Sequence, residues 1–176
     1  MLNCGGIYLR QTGMVLLISL VFLLVLSLIG LASMQGAVSQ QKMTGSVWHR
    51  NQSFQSAESG LRLGESGVRL VGATLPMCRS IITCAPPVES ILVAGAGTNP
   101  VSAVDWVAFK GGLFGMQSLG PGAGLAGFPP ETPALAYRVT AVGFSGQVRT
   151  VLEVVYARAD SEDGSMFRRV LWRQLQ

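Results

Sequence analysis

From Met14 to Met34 the chain carries no charged residue: MVLLISLVFLLVLSLIGLASM. At about 1.5 Å per helical residue this run spans about 30 Å, the thickness of a bilayer's hydrocarbon core. Only Ser19, Ser27 and Ser33 interrupt it, and a helix satisfies a serine hydroxyl through its own backbone carbonyls. A core helix of a soluble domain would show a polar stripe, and this run has none. It also exceeds the roughly 7–15 apolar residues of a cleavable secretory signal. Cys4 precedes the run, which excludes a lipoprotein signal, where the lipidated cysteine follows the apolar stretch. The run therefore predicts a membrane-spanning helix over 14–35. Arg10 lies on one side, with Lys42 and Arg50 on the other, so charge asymmetry says little about orientation. A short tail kept in the cytoplasm and an exported C-terminal part is the simpler topology.

Polarity rises after Gly36, but the helical period continues. Phe54, Ala57, Leu61, Gly64, Val68 and Val71 recur at heptad spacing, with Val47 one heptad earlier. Gln52, Gln55, Glu58, Arg62, Glu65 and Arg69 lie between them. Glu58–Arg62 and Glu65–Arg69 stand four apart in the favourable order, at about 0.2–0.5 kcal/mol each. No proline occurs before Pro76, so one helix is expected from Met14 to about Val71, with residues 36–72 as its amphipathic continuation. Gly60 and Gly64 mark a thin place where another layer approaches, in preference to a helix–helix contact.

The flanks of the apolar run carry a more specific signal. RQTG ends directly before Met14; then follow the apolar helix, MQG, QQKMTG and RNQSFQSAESGLRLGE. Together, from Arg10 to Glu65, these segments resemble the N-terminal region of PilX-type minor pilins of type IV pili. The resemblance implies a leader peptide over 1–13, cut between Gly13 and Met14 by prepilin peptidase, with methylation of the new amine. It implies an α+β, type IV pilin-like fold: a long N-terminal helix, membrane-spanning in its first half, packed on a C-terminal antiparallel sheet over 73–176. It also implies partners: other minor pilins, the major pilin, the inner-membrane assembly machinery and a tip adhesin. Most pilins of this kind carry a glutamate at the fifth mature position, paired with a neighbour's N-terminal amine. Here that position is Ile18, and no acid occurs from Met14 to Gly36.

Removal of a leader would take Cys4 with it and leave Cys78 and Cys84. In an oxidising compartment this spacing favours a disulfide closing a small loop over two free buried thiols. Beyond Pro87 we expect strands at Glu89–Val93 and Ala103–Phe109, then a long glycine-rich loop from Gly111 to Pro133. Alternation predicts strands at Tyr137–Phe144, Val148–Arg158 and Phe167–Leu175, with a turn at Ser145–Gly146 and an acidic loop at 159–165. Short connections make an antiparallel meander whose apolar face the stripe Phe54, Leu61, Val68 would cover.

The sequence offers little catalytic chemistry. Gly122, Gly124 and Gly127 form a nominal GxGxxG, but no strand is expected before it and Pro129–Pro130 block a following helix. The sole histidine, His49, lies on the helix, so neither a Ser-His-Asp triad nor a zinc site is expected. Asn51–Ser53 matches a glycosylation acceptor but inside a helix. Asp160, Glu162 and Asp163 read as a surface turn in preference to a cation loop. Only 12% of residues are charged and the net charge is +4, which does not supply a dense basic surface for nucleic acid. Arg168, Arg169 and Arg173 beside Trp172 form a mild basic-aromatic patch. No enzyme activity, cofactor or metal is expected. A structural fibre subunit is the leading reading; a type II secretion minor pseudopilin and a membrane-anchored periplasmic binding domain or enzyme are the alternatives.

Membrane-extracted protein should begin at Met14, N-methylated, by mass analysis, and Gly13→Val should abolish this maturation because a branched side chain does not fit a pocket shaped for glycine. An intact Met1, or a start beyond Ala32, would overturn the expected processing.

Overall fold

A computed structural model of the chain describes residues 12–161 and 164–176. The chain forms two compact units, Met1–Ser46 and Val47–Gln176. Helix α1 (Thr12–Val71) contributes to both. In the first unit its apolar side chains are exposed all round the helix, from Met14 through Val38, and none of its most apolar window is buried.

The second unit holds the rest of α1, a one-turn helix α2 (Ile81–Cys84) and six strands. The strands are β1 (Gly97–Thr98), β2 (Asp105–Phe109), β3 (Gly112–Gly122), β4 (Ala134–Ser145), β5 (Val148–Ser161) and β6 (Gly164–Gln174). They pair in chain order, each antiparallel to the next. The architecture is therefore α+β, with the long helix and antiparallel sheet that the resemblance implies. One sheet face packs on α1 through Ala57, Leu61 and Val68 against Phe114, Tyr137, Val139, Ala141, Leu152, Val154 and Tyr156. The opposite face is not left to solvent. The segment after α1 covers one end, where Val93 and Val104 join Trp106, Leu113, Val142 and Val151. Phe128 covers the other end over Ala134, Ala157 and Ala159.

Several expectations are corrected. Gly112–Gly122, read as loop, is strand β3, and β4 pairs along nearly all of it. Its glycines reflect crowding instead of turning: a Cβ on Gly112 would strike the Val142 carbonyl, and one on Gly115 would strike Val104. Gly120, with φ +87°, takes up the register shift after Ser118. Glu89–Val93, read as strand, forms a 3-10 turn over Val88–Ile91, because Pro87 enters with φ −66° and Ser90 N–H bonds back to its carbonyl at 3.1 Å. The apolar residues Val88 and Leu92 point outward, 77% and 78% exposed. The strand expected at Ala103–Phe109 starts at Asp105, since Ala103 takes φ +57°. The last two strands reach into the stretch 159–165 read as loop: β5 runs on to Ser161 and β6 begins at Gly164. Glu162 and Asp163 lie outside the described residues, as do residues 1–11 with Cys4 and Arg10.

The helix sits unusually close to the sheet. A Cβ at Gly60 would lie 2.7 Å from the Phe109 ring and 3.0 Å from Ala141 Cβ, and one at Gly64 would collide with Val139. From the sheet side, a Cβ at Gly143 would collide with the helix backbone at Ser53 and Ala57. This is the thin place that Gly60 and Gly64 announce in the sequence. Leu61→Ala should cost about 2–5 kcal/mol through its cavity. Gly143→Ala should cost about 1–3 kcal/mol or more, since a helix backbone cannot yield as a side chain can. Gln55→Ala and Arg62→Ala, both exposed, should stay within about 0.5 kcal/mol. Denaturant titration of the full chain in detergent distinguishes these classes, and equal small effects at all four positions would refute a buried helix–sheet seam.

Candidate functional site

In the first unit the residues of interest lie on one apolar helix surface. Gly13, Met14 and Ile18 are all helical and exposed, Met14 at 61% and Ile18 at 51%. The helix satisfies its own hydroxyls: Ser19 Oγ donates to the Leu16 carbonyl and Ser27 Oγ to the Leu23 carbonyl, both at 2.8 Å. These two hydroxyls need no partner outside the helix, which suits immersion in lipid or in a bundle of apolar helices. A Cβ at Gly13, Gly30 or Gly36 would meet nothing within 4 Å, so these positions offer shallow places where another helix can approach.

In the second unit the functional question is how the helix holds the sheet. Leu61 is 4% and Val68 1% exposed. Phe54 sits at the rim, half-buried, with Trp172 edge-on at 6.4 Å. Val47 and Val71, at the ends of the stripe, are exposed, so burial begins at Ser53 and stops at Val68. Polar contacts pin the seam along its length. Ser53 Oγ and Thr150 Oγ1 share a buried hydrogen bond of 2.7 Å. Ser145 Oγ donates to Gln52 Oε1 at 2.6 Å and lies 2.9 Å from His49 Nδ1. With the hydroxyl proton committed to Gln52, His49 Nδ1 is the donor to Ser145, so this His–Ser pair holds the β4–β5 turn and does not activate a nucleophile.

Glu65 forms the strongest of these pins. Tyr156 donates to its Oε2 at 3.0 Å and Arg69 to its Oε1 at 2.9 Å, while Arg69 also stacks over the Phe167 ring. Partial burial pushes the Glu65 carboxyl up, but these two hydrogen bonds and the nearby cations Arg69 and Arg169 outweigh it and hold the group below its usual range. Burial first, and the Glu65 charge second, push the Tyr156 hydroxyl up to about 12, so it remains a donor. Of the two helix pairs expected, Glu65–Arg69 forms; Glu58–Arg62 does not appear among the ion pairs of the described residues.

The far face of the sheet carries a buried polar set that the sequence reading missed. Cys78 and Cys84 are joined by a disulfide, with Cα atoms 5.2 Å apart. The ring they close contains α2, whose start is capped reciprocally by Ser80 and Thr83. Gln117 Nε2 donates to the Thr83 carbonyl at 2.8 Å, and Arg138 Nη1 to the Cys84 carbonyl at 2.7 Å. Behind Arg138 lies Glu153, fully buried, 3.3 Å from Arg138 Nε and 2.9 Å from Arg173 Nη2. Burial pulls Arg138 down from its ordinary value and Glu153 counters it, leaving a guanidinium that stays charged. A signal for this set exists in the sequence. Arg138 and Glu153 each interrupt a run of strand-forming apolar residues, and in a sheet covered on both faces such an interruption is buried. The apolar side chains of Ile81 and Val88, by contrast, face outward, 92% and 77% exposed.

The remaining candidates do not converge. Asn51–Ser53 is helical, with Ser53 buried. Asp160 pairs with Arg158 at 3.1 Å, and among the described residues no three metal-ligating side chains come together. Gly122, Gly124 and Gly127 lie at the end of β3 and in the loop after it, with no helix beginning there.

Comparison with known proteins places the N-terminal segment. Residues 12–62 match the family model described as PilX N-terminal. No curated protein and no solved structure matches the chain.

The anchoring of the disulfide ring is testable at Arg79, which is exposed within it. Gln117→Leu removes the ring's hydrogen bond to Thr83 and leaves that carbonyl unpaired, about 1–2 kcal/mol or on the order of tenfold in local opening. Limited trypsin digestion should therefore cut the Arg79–Ser80 bond about tenfold faster in Gln117→Leu than in the native chain, read by mass analysis after reduction. An unchanged rate would mean that Gln117 does not hold the ring.

Proposed function

With residues 12–62 placed in the PilX N-terminal family, a component of type IV pili, we propose that this chain is a non-catalytic minor pilin that helps start pilus assembly and sits at or near the tip. The observation that carries this reading is Ile18. A charge in lipid costs several kcal/mol unless paired, so a glutamate at this depth is a strong register device between subunits. This helix has no acid to offer between Met14 and Gly36. After cleavage at Gly13 it would present an amine that a neighbour's glutamate neutralises, but no carboxylate for the next subunit's amine. A subunit with one half of the pair fits an end of the fibre. Maturation would use prepilin peptidase, with cleavage and N-methylation at Met14.

The exposed apolar surface of residues 14–35 supports residence in the inner membrane with the C-terminal unit in the periplasm, followed by packing in the fibre with the major pilin and other minor pilins. A tip position would place the head where a tip adhesin and a contacted surface are within reach, which links the chain to adhesion and twitching. The polar clusters of the head are spent on holding helix, sheet and disulfide ring together, which supports a structural role over an enzymatic one.

Deletion should abolish piliation while leaving the level of major pilin normal, and immunogold labelling should give few copies, at pilus tips. Regular labelling along the shaft would overturn the tip position. Normal pili with lost protein secretion would assign the chain to a type II secretion pseudopilus. Ile18→Glu should allow the subunit to enter the shaft, raising its copy number per pilus.

A further inference from the structure

Strand β6 ends the sheet, and it ends it open. Its neighbour on one side is β5. On the other side, among the described residues, no backbone hydrogen bond from another element reaches Ser165–Gln174. β1, at the opposite edge, is two residues long, whereas β6 is eleven. A long edge with free N–H and C=O groups is a template for another strand unless something blunts it. The sequence of β6, GSMFRRVLWRQ, holds three arginines and no acid or proline. Met166, Leu171 and Trp172 are 37%, 43% and 43% exposed along it.

The arginines decide which strand fits. A two-fold antiparallel pairing of β6 with a second copy would bring Arg168 and Arg169 of both copies together near the dyad, and like charges in cross-strand positions repel. A second copy is thus a poorer partner for this edge than an acidic strand. A nucleic acid is a poorer match than a strand, because the cations and the ring are partly committed: Arg173 to Glu153 at 2.9 Å, Arg169 to Glu65 at 4.0 Å, and Trp172 to Phe54. Arg168 is exposed and has no acidic partner among the described residues, while Arg169 and Arg173 remain 51% and 43% exposed at the side chain. What the edge offers is a backbone ladder flanked by positive charge, with apolar side chains between.

We propose that β6 is a docking edge for an extended, acidic segment of a partner protein, which adds as a seventh strand. Its acids would stand beside Arg168 and Arg173, on the sheet face away from α1, and its apolar residues beside Trp172 on the other face. Main-chain hydrogen bonds would supply affinity and the charges would select the partner. The inference goes beyond the pilus reading and does not depend on where in a fibre the subunit lies.

The test uses the full chain in an uncharged detergent and two synthetic ten-residue peptides, one alternating Val and Glu, the other Val and Lys. Hydrogen exchange of residues 165–174 should slow several-fold with the glutamate peptide and stay unchanged with the lysine peptide, while β4 amides behave alike in both. Arg168→Glu should weaken binding of the glutamate peptide by about tenfold, whereas Arg168→Lys should retain most of it; circular dichroism checks that both variants fold. Equal protection by both peptides, or binding of the glutamate peptide without slower exchange in β6, would overturn strand addition. Tighter binding of a single-stranded oligonucleotide than of the glutamate peptide would make the edge a nucleic-acid surface and overturn the proposal as well.

Discussion

The head is organised by a near-contact of backbones. Gly60 and Gly64 on the helix and Gly143 on β4 remove the side chains that would otherwise hold the two layers apart. That approach fixes everything beside it. Leu61 and Val68 sink between Val139, Ala141, Leu152 and Val154 because the two layers are already close. Ser53 reaches Thr150 and Glu65 reaches Tyr156 for the same reason. Gly60 and Gly64 each cost about 1 kcal/mol of helix propensity, and close packing across the seam offsets it.

A sheet so tightly covered on one face still has a second face, and here the solution is polar. The segment between α1 and β2 is too short of apolar side chains turned inward to close the far side by itself; Ile81, Val88 and Leu92 point outward. Gln117 and Arg138 instead capture carbonyls of the disulfide ring. Glu153 compensates Arg138 from beneath and draws in Arg173 from the neighbouring strand. Removing one member of such a set is far more damaging than its net stabilisation suggests, because a buried charge is left unpaired. The disulfide and the ion cluster therefore act on one object, a rigid ring laid over the sheet.

The two units solve opposite problems with one helix. Up to Gly36 its apolar side chains are exposed on every side, and the Ser19 and Ser27 hydroxyls fold back on carbonyls of the preceding turn. From Ser53 one face is buried by a sheet and the other stays wet. The first unit presents an apolar helix surface, while the second carries its polar groups in the service of packing.

The sequence by itself determined the long apolar helical segment, the extent of α1 to Val71, the buried positions Leu61 and Val68 and the two β-branched strands β4 and β5. These follow from local periodicity and hydropathy, which act without knowledge of the rest of the chain. It led equally to the PilX N-terminal family, through a combination of short segments within residues 12–62. Tertiary structure alone decided that the glycine-rich stretch Gly112–Gly122 is a strand, since its glycines answer to Val142 and Val104, distant in sequence. It also decided which groups meet on the far face: the apolar runs around Arg138 and Glu153 hint at burial, but their pairing beneath the disulfide ring joins β4, β5 and the Cys84 carbonyl, which are distant in sequence.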